Sequence, residues 1–172
     1  MKNLIFGLYI MGLTNLSYSQ NLVSVVDGTG VHKRSISSIN VNYLDKVQSI
    51  NTSKQIKTLE IIASKYDITK NVKFNGSKKP FKVKFKGLFG SITATYNPKG
   101  KILNTIEEFK NVALPKYVMK SISEQYPQAS ILATSYFVSY NNEIGVTKQY
   151  IVKIKKGKKI KNLKFDNDGI KA

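Results

Sequence analysis

Side chains able to do chemistry are few in this chain and do not converge. The only histidine is His32, in the run Asp27-Gly28-Thr29-Gly30-Val31-His32, and there is no cysteine. A glycine-rich turn ahead of a histidine can cradle a nucleotide, but that chemistry needs a parallel sheet, the motif between a strand and a helix, and a second histidine nearby. Neither the sheet nor the histidine is legible, so the run reads as a turn. The same counts exclude thiol catalysis and clustered zinc ligation. Glu107 and Glu108 stand side by side ahead of an expected helix. There they complement the positive end of the helix dipole rather than forming an acid–base pair. Asp166-Asn167-Asp168-Gly169 opens like a calcium loop, which would require a bidentate glutamate at its twelfth position, and it reads instead as a turn. The expectation is a protein that is not an enzyme and has no catalytic residue, metal or cofactor.

What does accumulate is lysine. Lys+Arg total 28 against 10 Asp+Glu, for a formal charge of +18, and Arg34 is the one arginine. Such a balance favours acidic partners. Planar, bidentate recognition of phosphate or guanine prefers arginine, however, and an asparagine-, isoleucine- and lysine-rich composition also follows from AT-biased coding. The lysines crowd two places. Lys153, Lys155, Lys156, Lys158, Lys159, Lys161 and Lys164 share one hairpin, and Lys78, Lys79, Lys82, Lys84 and Lys86 fall in or before its counterpart upstream. If these strands join one sheet, Lys82, Lys84, Lys153 and Lys155 share its solvent face with tyrosines nearby. The candidate anion- or partner-binding set is Lys82, Lys84, Lys86, Lys153, Lys155, Lys158, Lys159 and Lys161. The competing reading is a solvated surface whose lysines guard strand edges against aggregation.

The elements that must position these lysines centre on residues 114–127, LPKYVMKSISEQYP. Pro115 suits the first position of a helix, and Pro127 cannot continue one. Leu114, Val118, Ile122 and Tyr126 recur every four residues and form one stripe. About three turns are too few to be stable alone, so this stripe must be buried against something. A second helix runs from a cap at Ser53 to Tyr66, with Ile56, Leu59, Ile62, Ala63 and Tyr66 on its stripe. Strict alternation over residues 81–86 puts Phe81, Val83 and Phe85 on one face of a strand and three lysines on the other. Further strands are expected over residues 91–96 and 101–105, and, after the central helix, over 131–140, 147–155 and 158–165. Turns fall at residues 87–90, 97–100 and 156–157.

The helices end alike, at Tyr66 and Tyr126, and hairpins follow each, so residues 51–105 and 114–172 read as two copies of one unit. The expected fold class is α+β: two α-β-β(-β) repeats forming an antiparallel sheet, with helices packed on one face. Residues 1–19 carry a lone Lys2, an apolar run from Leu4 to Leu13 and small residues Ser17 and Ser19. That pattern is a secretory signal peptide, its apolar run well short of the roughly 20 residues a bilayer needs. An exported, periplasmic or secreted chain without a transmembrane segment follows, about 150 residues long and held together by packing rather than disulfides. Residues 20–50 remain open between edge strands and an ordered arm.

The runs YNPKGKIL, LPKYVMKSISEQYP and YIVKIKKGKKIKNLKFDNDG together resemble the PepSY-like, β-lactamase-inhibitor-like secreted proteins of Bacteroidetes. The resemblance covers residues 92–169, and residues 53–90 more loosely through the internal repeat. It implies helices against an antiparallel sheet, export, and a binding or inhibitory role, with no catalytic residues to carry over. The expected function is an exported, non-catalytic module, inhibitor- or chaperone-like, that binds a protein through the open sheet face, the charge balance favouring an acidic one. The alternative is an envelope polyanion such as lipopolysaccharide, acidic glycan or extracellular DNA, bound through the lysine hairpins.

Overall fold

Alternation of period two dominates the second half of the chain, and six strands result. In the computed structural model, which describes residues 39–50 and 52–166, the element order is α1 (Val41–Val47), α2 (Lys54–Lys65), β1 (Phe81–Lys86), β2 (Gly90–Tyr96), β3 (Ile102–Lys110), α3 (Lys116–Gln125), β4 (Ser130–Asn141), β5 (Gly145–Lys156) and β6 (Lys159–Phe165), with a 3₁₀ turn at Ile68–Lys70 after α2. These residues belong to the unit Ser35–Ala172; the unit Met1–Arg34, and with it His32, the whole of the expected signal peptide and part of the arm, lies outside the described residues. So does the run from Asn167 onward. The strands form one antiparallel sheet in the order β1-β2-β3-β4-β5-β6. Each strand pairs with its sequence neighbour, so short turns suffice everywhere except between β3 and β4, where α3 is inserted.

One set of alternate residues is buried and builds the core. Cross-strand pairing aligns Phe85, Ile92, Glu107, Val138 and Lys148 in one row, Val83, Ala94, Thr105, Tyr140 and Val146 in the next, and Phe109, Tyr136, Tyr150 and Phe165 in a third. Tyr136 and Tyr150 stack with ring centroids 4.5 Å apart. Tyr43 of α1 meets Tyr140 edge-on at 5.4 Å, and Tyr66 at the end of α2 meets Phe85 at 5.3 Å. Ile56, Leu59 and Ala63 of α2 and Val118 and Ile122 of α3 are buried in the same cluster, against which Leu114 and Tyr126 pack.

Several expectations need correction. Pro115 is the N-cap of α3 rather than its first residue, and Ser53 caps α2 by position without a side-chain hydrogen bond. Ile62, placed on the buried stripe of α2, is 50% exposed, and Glu60 is buried instead. Within residues 20–50, open between edge strands and an ordered arm, residues 41–47 are helical, tied down where Asn40 donates its N–H to the Ser64 carbonyl (3.0 Å) and accepts from the Ile102 N–H (2.8 Å). The third strand does not stop at Thr105 but continues to Lys110, because β4 supplies partners from Asn104↔Asn141 to Lys110↔Ser135. The turn at residues 97–100 is as expected: Gly100 has φ +75°, and the Asn97 side chain accepts from the N–H groups of Lys99 and Lys101.

Candidate functional site

The lysines follow from strand geometry, since a period-two chain with Phe81, Val83 and Phe85 packed on the core must turn Lys82, Lys84 and Lys86 outward. Pairing carries Lys84 across Thr93, Ile106 and Ser139 to Thr147, and Lys86 across Ser91, Glu108 and Phe137 to Gln149. The same parity puts Lys153 and Lys155 of β5 and Lys164 of β6 on this outer face. Lys82, Lys84, Lys153 and Lys155 do therefore share a face. They do not form one patch, because β1 and β5 are four strand spacings apart, roughly 19 Å. Between them lie Ile106, 59% exposed, the half-buried Phe137 and Ile151, and the outward-facing Glu108 and Lys110. The tyrosines expected beside these lysines are elsewhere: Tyr96, Tyr136, Tyr140 and Tyr150 are buried on the opposite face.

The C-terminal lysines also divide. Lys156 pairs with Lys159, and Lys161 pairs with Ile154, which is buried, so these three point to the core side of the sheet, while Lys158 sits in the turn. They meet the end of α3. The Lys161 ammonium lies 5.7 Å from the centroid of the Tyr126 ring, and Gln125, Tyr126, Ile154, Lys156, Lys159 and Lys161 enclose a cleft of about 240 Å³. Only Lys82, Lys84, Lys86, Lys153 and Lys155 of the eight candidates thus belong to the outer face.

A second polar constellation was not anticipated at all. Glu60 of α2 and Glu107 of β3 are both 0% exposed, and Lys148 of β5 is 7% exposed. Glu107 Oε1 accepts from the Tyr43 hydroxyl (2.8 Å) and the Thr105 hydroxyl (2.9 Å), while Oε2 and both Glu60 oxygens lack partners. Burial pushes Glu107 up to about 8, the Glu60 charge adds to this, and the two hydroxyls and Lys148 only partly offset it. Burial likewise pushes Glu60 up to about 7, against the opposing pull of the neighbouring Gln48 amide, Lys148 and Lys57. Burial lowers Lys148, and the two carboxyls pull it back. Glu107 is therefore no helix-dipole partner, as its position before α3 suggested: it points into the core from mid-strand, while Glu108 faces outward and pairs with Lys110 at 3.6 Å. Full burial makes the pair a polar clamp between α1, α2 and the sheet rather than an acid–base site open to substrate. Its signal was in the sequence, since Glu60 continues the spacing of Ile56 and Ala63, and Glu107 alternates in phase with Thr105 and Phe109.

Among the described residues no group of three or more His, Cys, Asp and Glu side chains is placed to hold a metal ion, and no helix is long and apolar enough to cross a membrane. Compared with known proteins, the chain matches no family model, no curated protein and no solved structure.

Proposed function

We propose that this chain is an exported, non-catalytic binding module of PepSY-like type that engages an acidic protein through the outer face of its sheet. The element order α2-β1-β2-β3 followed by α3-β4-β5-β6 supports reading the domain as two copies of one unit. In that reading both helices cover one face and leave the other for a partner. The observation that carries the proposal is the character of that face: Ile106, Phe137 and Ile151 run as an apolar diagonal across adjacent strands beside the Glu108–Lys110 pair, with Lys82, Lys84 and Lys86 along one border and Lys153, Lys155 and Lys164 along the other. Interfaces concentrate energy in such an apolar stretch and place charge at the rim, where it steers the encounter and selects the partner's sign. Ile106→Asp should abolish partner capture in crosslinked envelope fractions while the melting temperature changes little, and Lys84→Glu with Lys153→Glu should slow association. A partner retained by both variants, or none captured by the unaltered chain, would refute the reading.

A second reading rests on the β5–β6 hairpin, where no acidic residue interrupts the lysines from Lys153 to Lys164. It makes the chain a polyanion binder. Its mark would be association with heparin or lipopolysaccharide that weakens steeply as salt rises. Salt-insensitive association, or none, would exclude it.

A further inference from the structure

The cleft between the end of α3 and the β5–β6 hairpin is unlike the rest of the basic surface. Three lysine side chains line it, those of Lys156, Lys159 and Lys161. Lys156 and Lys159 lie directly opposite each other across the ladder, an arrangement in which like charges repel and destabilise the hairpin. The C-terminal end of α3, whose carbonyls are equivalent to about half an elementary negative charge, reaches the cleft through Gln125 and Tyr126. That cannot neutralise three ammoniums. The ion pairs found among the described residues are Lys70–Asp67, Lys110–Glu108 and Lys120–Glu124, and none involves these lysines. The floor is apolar: Ile154 is 1% exposed, and the ring of Tyr126 closes one side beneath the Lys161 ammonium.

We propose that this cleft binds a single acidic sugar unit, its carboxylate, sulfate or phosphate groups held by Lys156, Lys159 and Lys161 and its ring resting on Ile154 and Tyr126. Three features select this chemistry. At about 240 Å³ the cleft is smaller than the roughly 300 Å³ at which pockets for drug-sized ligands begin, so it takes one ring of a longer molecule. Ammoniums are compact point charges on flexible stems, suited to anionic oxygens that leave a ring in several directions rather than to one planar, bidentate contact. An aliphatic and aromatic floor beneath a polar rim matches a ring with C–H groups on its face and charged groups at its edge. The site is independent of the outer face and deepens the polyanion reading, to which it assigns a place and a ligand class.

The test is titration of the full chain with a sulfated uronate disaccharide by calorimetry, beside a neutral disaccharide, inorganic sulfate and a single-stranded oligothymidylate. Lys159→Ser and Lys161→Ser remove exposed side chains, and thermal melting checks that both variants fold. Each is expected to weaken disaccharide binding at least about tenfold, the scale of one lost charge-assisted hydrogen bond. Lys84→Ser and Lys153→Ser are expected to stay within about twofold, and the neutral disaccharide and free sulfate to bind far more weakly than the sulfated sugar. Equal losses at Lys153 and Lys159 would mean diffuse charge attraction, overturning the cleft while leaving the polyanion reading intact. Tighter binding of the oligothymidylate through the same lysines would overturn the sugar assignment. No binding of any polyanion would overturn both the cleft and the polyanion reading.

Discussion

Glu60 and Glu107 should make this protein lose stability as the pH rises through neutrality, the reverse of the usual behaviour of carboxylates in folded proteins. In the unfolded chain both titrate near 4.5, whereas in the folded protein they hold their protons to about 7 and about 8. Between these values the folded state binds more protons than the unfolded one, so the stability change with pH is negative. The contribution is fully present below pH 4.5 and is lost as pH passes 7 and then 8. Measuring from pH 5.5 to 8.5 keeps the ordinary carboxylates ionised throughout. Lys148, lowered by burial, acts in the opposite sense. At ~1.4 kcal/mol per pH unit, Glu60 contributes a fall of about 2 kcal/mol and Glu107 about 3. Because part of the Glu107 shift is repulsion from Glu60, the two overlap, and the expected total is about 3 to 5 kcal/mol. That is a large fraction of a typical domain stability of roughly 5–15 kcal/mol. Urea unfolding at half-unit pH steps, with the slope against denaturant held constant, measures it. Glu107→Gln, which cannot ionise, should remove more than half of the dependence and be more stable than the unaltered protein at pH 8.5. Tyr43→Phe removes a hydroxyl that favours the ionised Glu107 and should steepen the fall. A stability flat or rising over this window would refute the reasoning.

Three further perturbations test the frame around the sites. At Gly90 an added Cβ would collide with the Glu108 carbonyl oxygen and lie 2.7 Å from the Phe109 Cα, both backbone atoms, so Gly90→Ala should cost about 3 kcal/mol and lower the melting temperature accordingly. Asn40→Ala leaves the Ile102 N–H buried without an acceptor and should cost about 2 kcal/mol, with faster hydrogen exchange at Ile102 as the local readout. Ile122→Ala empties a 4% exposed position on the buried stripe of α3 and should cost about 3 kcal/mol in urea unfolding, while Met119→Ala, at a 46% exposed position, should cost well under 1.

Local patterns made most of the frame legible. The strict alternation of residues 81–86, the four-residue recurrence from Leu114 to Tyr126, and the glycine and proline of the turn at residues 97–100 each constrain one element by its own periodicity or backbone freedom. They correctly led to an α+β chain with antiparallel hairpins, and to an outer face carrying Lys82, Lys84, Lys153 and Lys155. Where a strand ends, and which side of a hairpin a charge occupies, depend on partners far away in sequence. β3 continues to Lys110 because β4, about 30 residues later, offers a full ladder, and that extension is what carries Glu107 into the core.

Composition and spacing thus determined on their own that the chain is strongly basic, lacks thiols, and alternates between period-four helices and period-two strands, because these properties belong to single segments. Tertiary structure alone decided that the lysines of one hairpin separate onto two faces, that three of them meet Tyr126 across a cleft, and that two carboxyls share the core with Tyr43 and Lys148. The last two depend on register and docking between segments far apart in sequence, and a one-residue slip of any strand would have sent every one of its side chains to the other face.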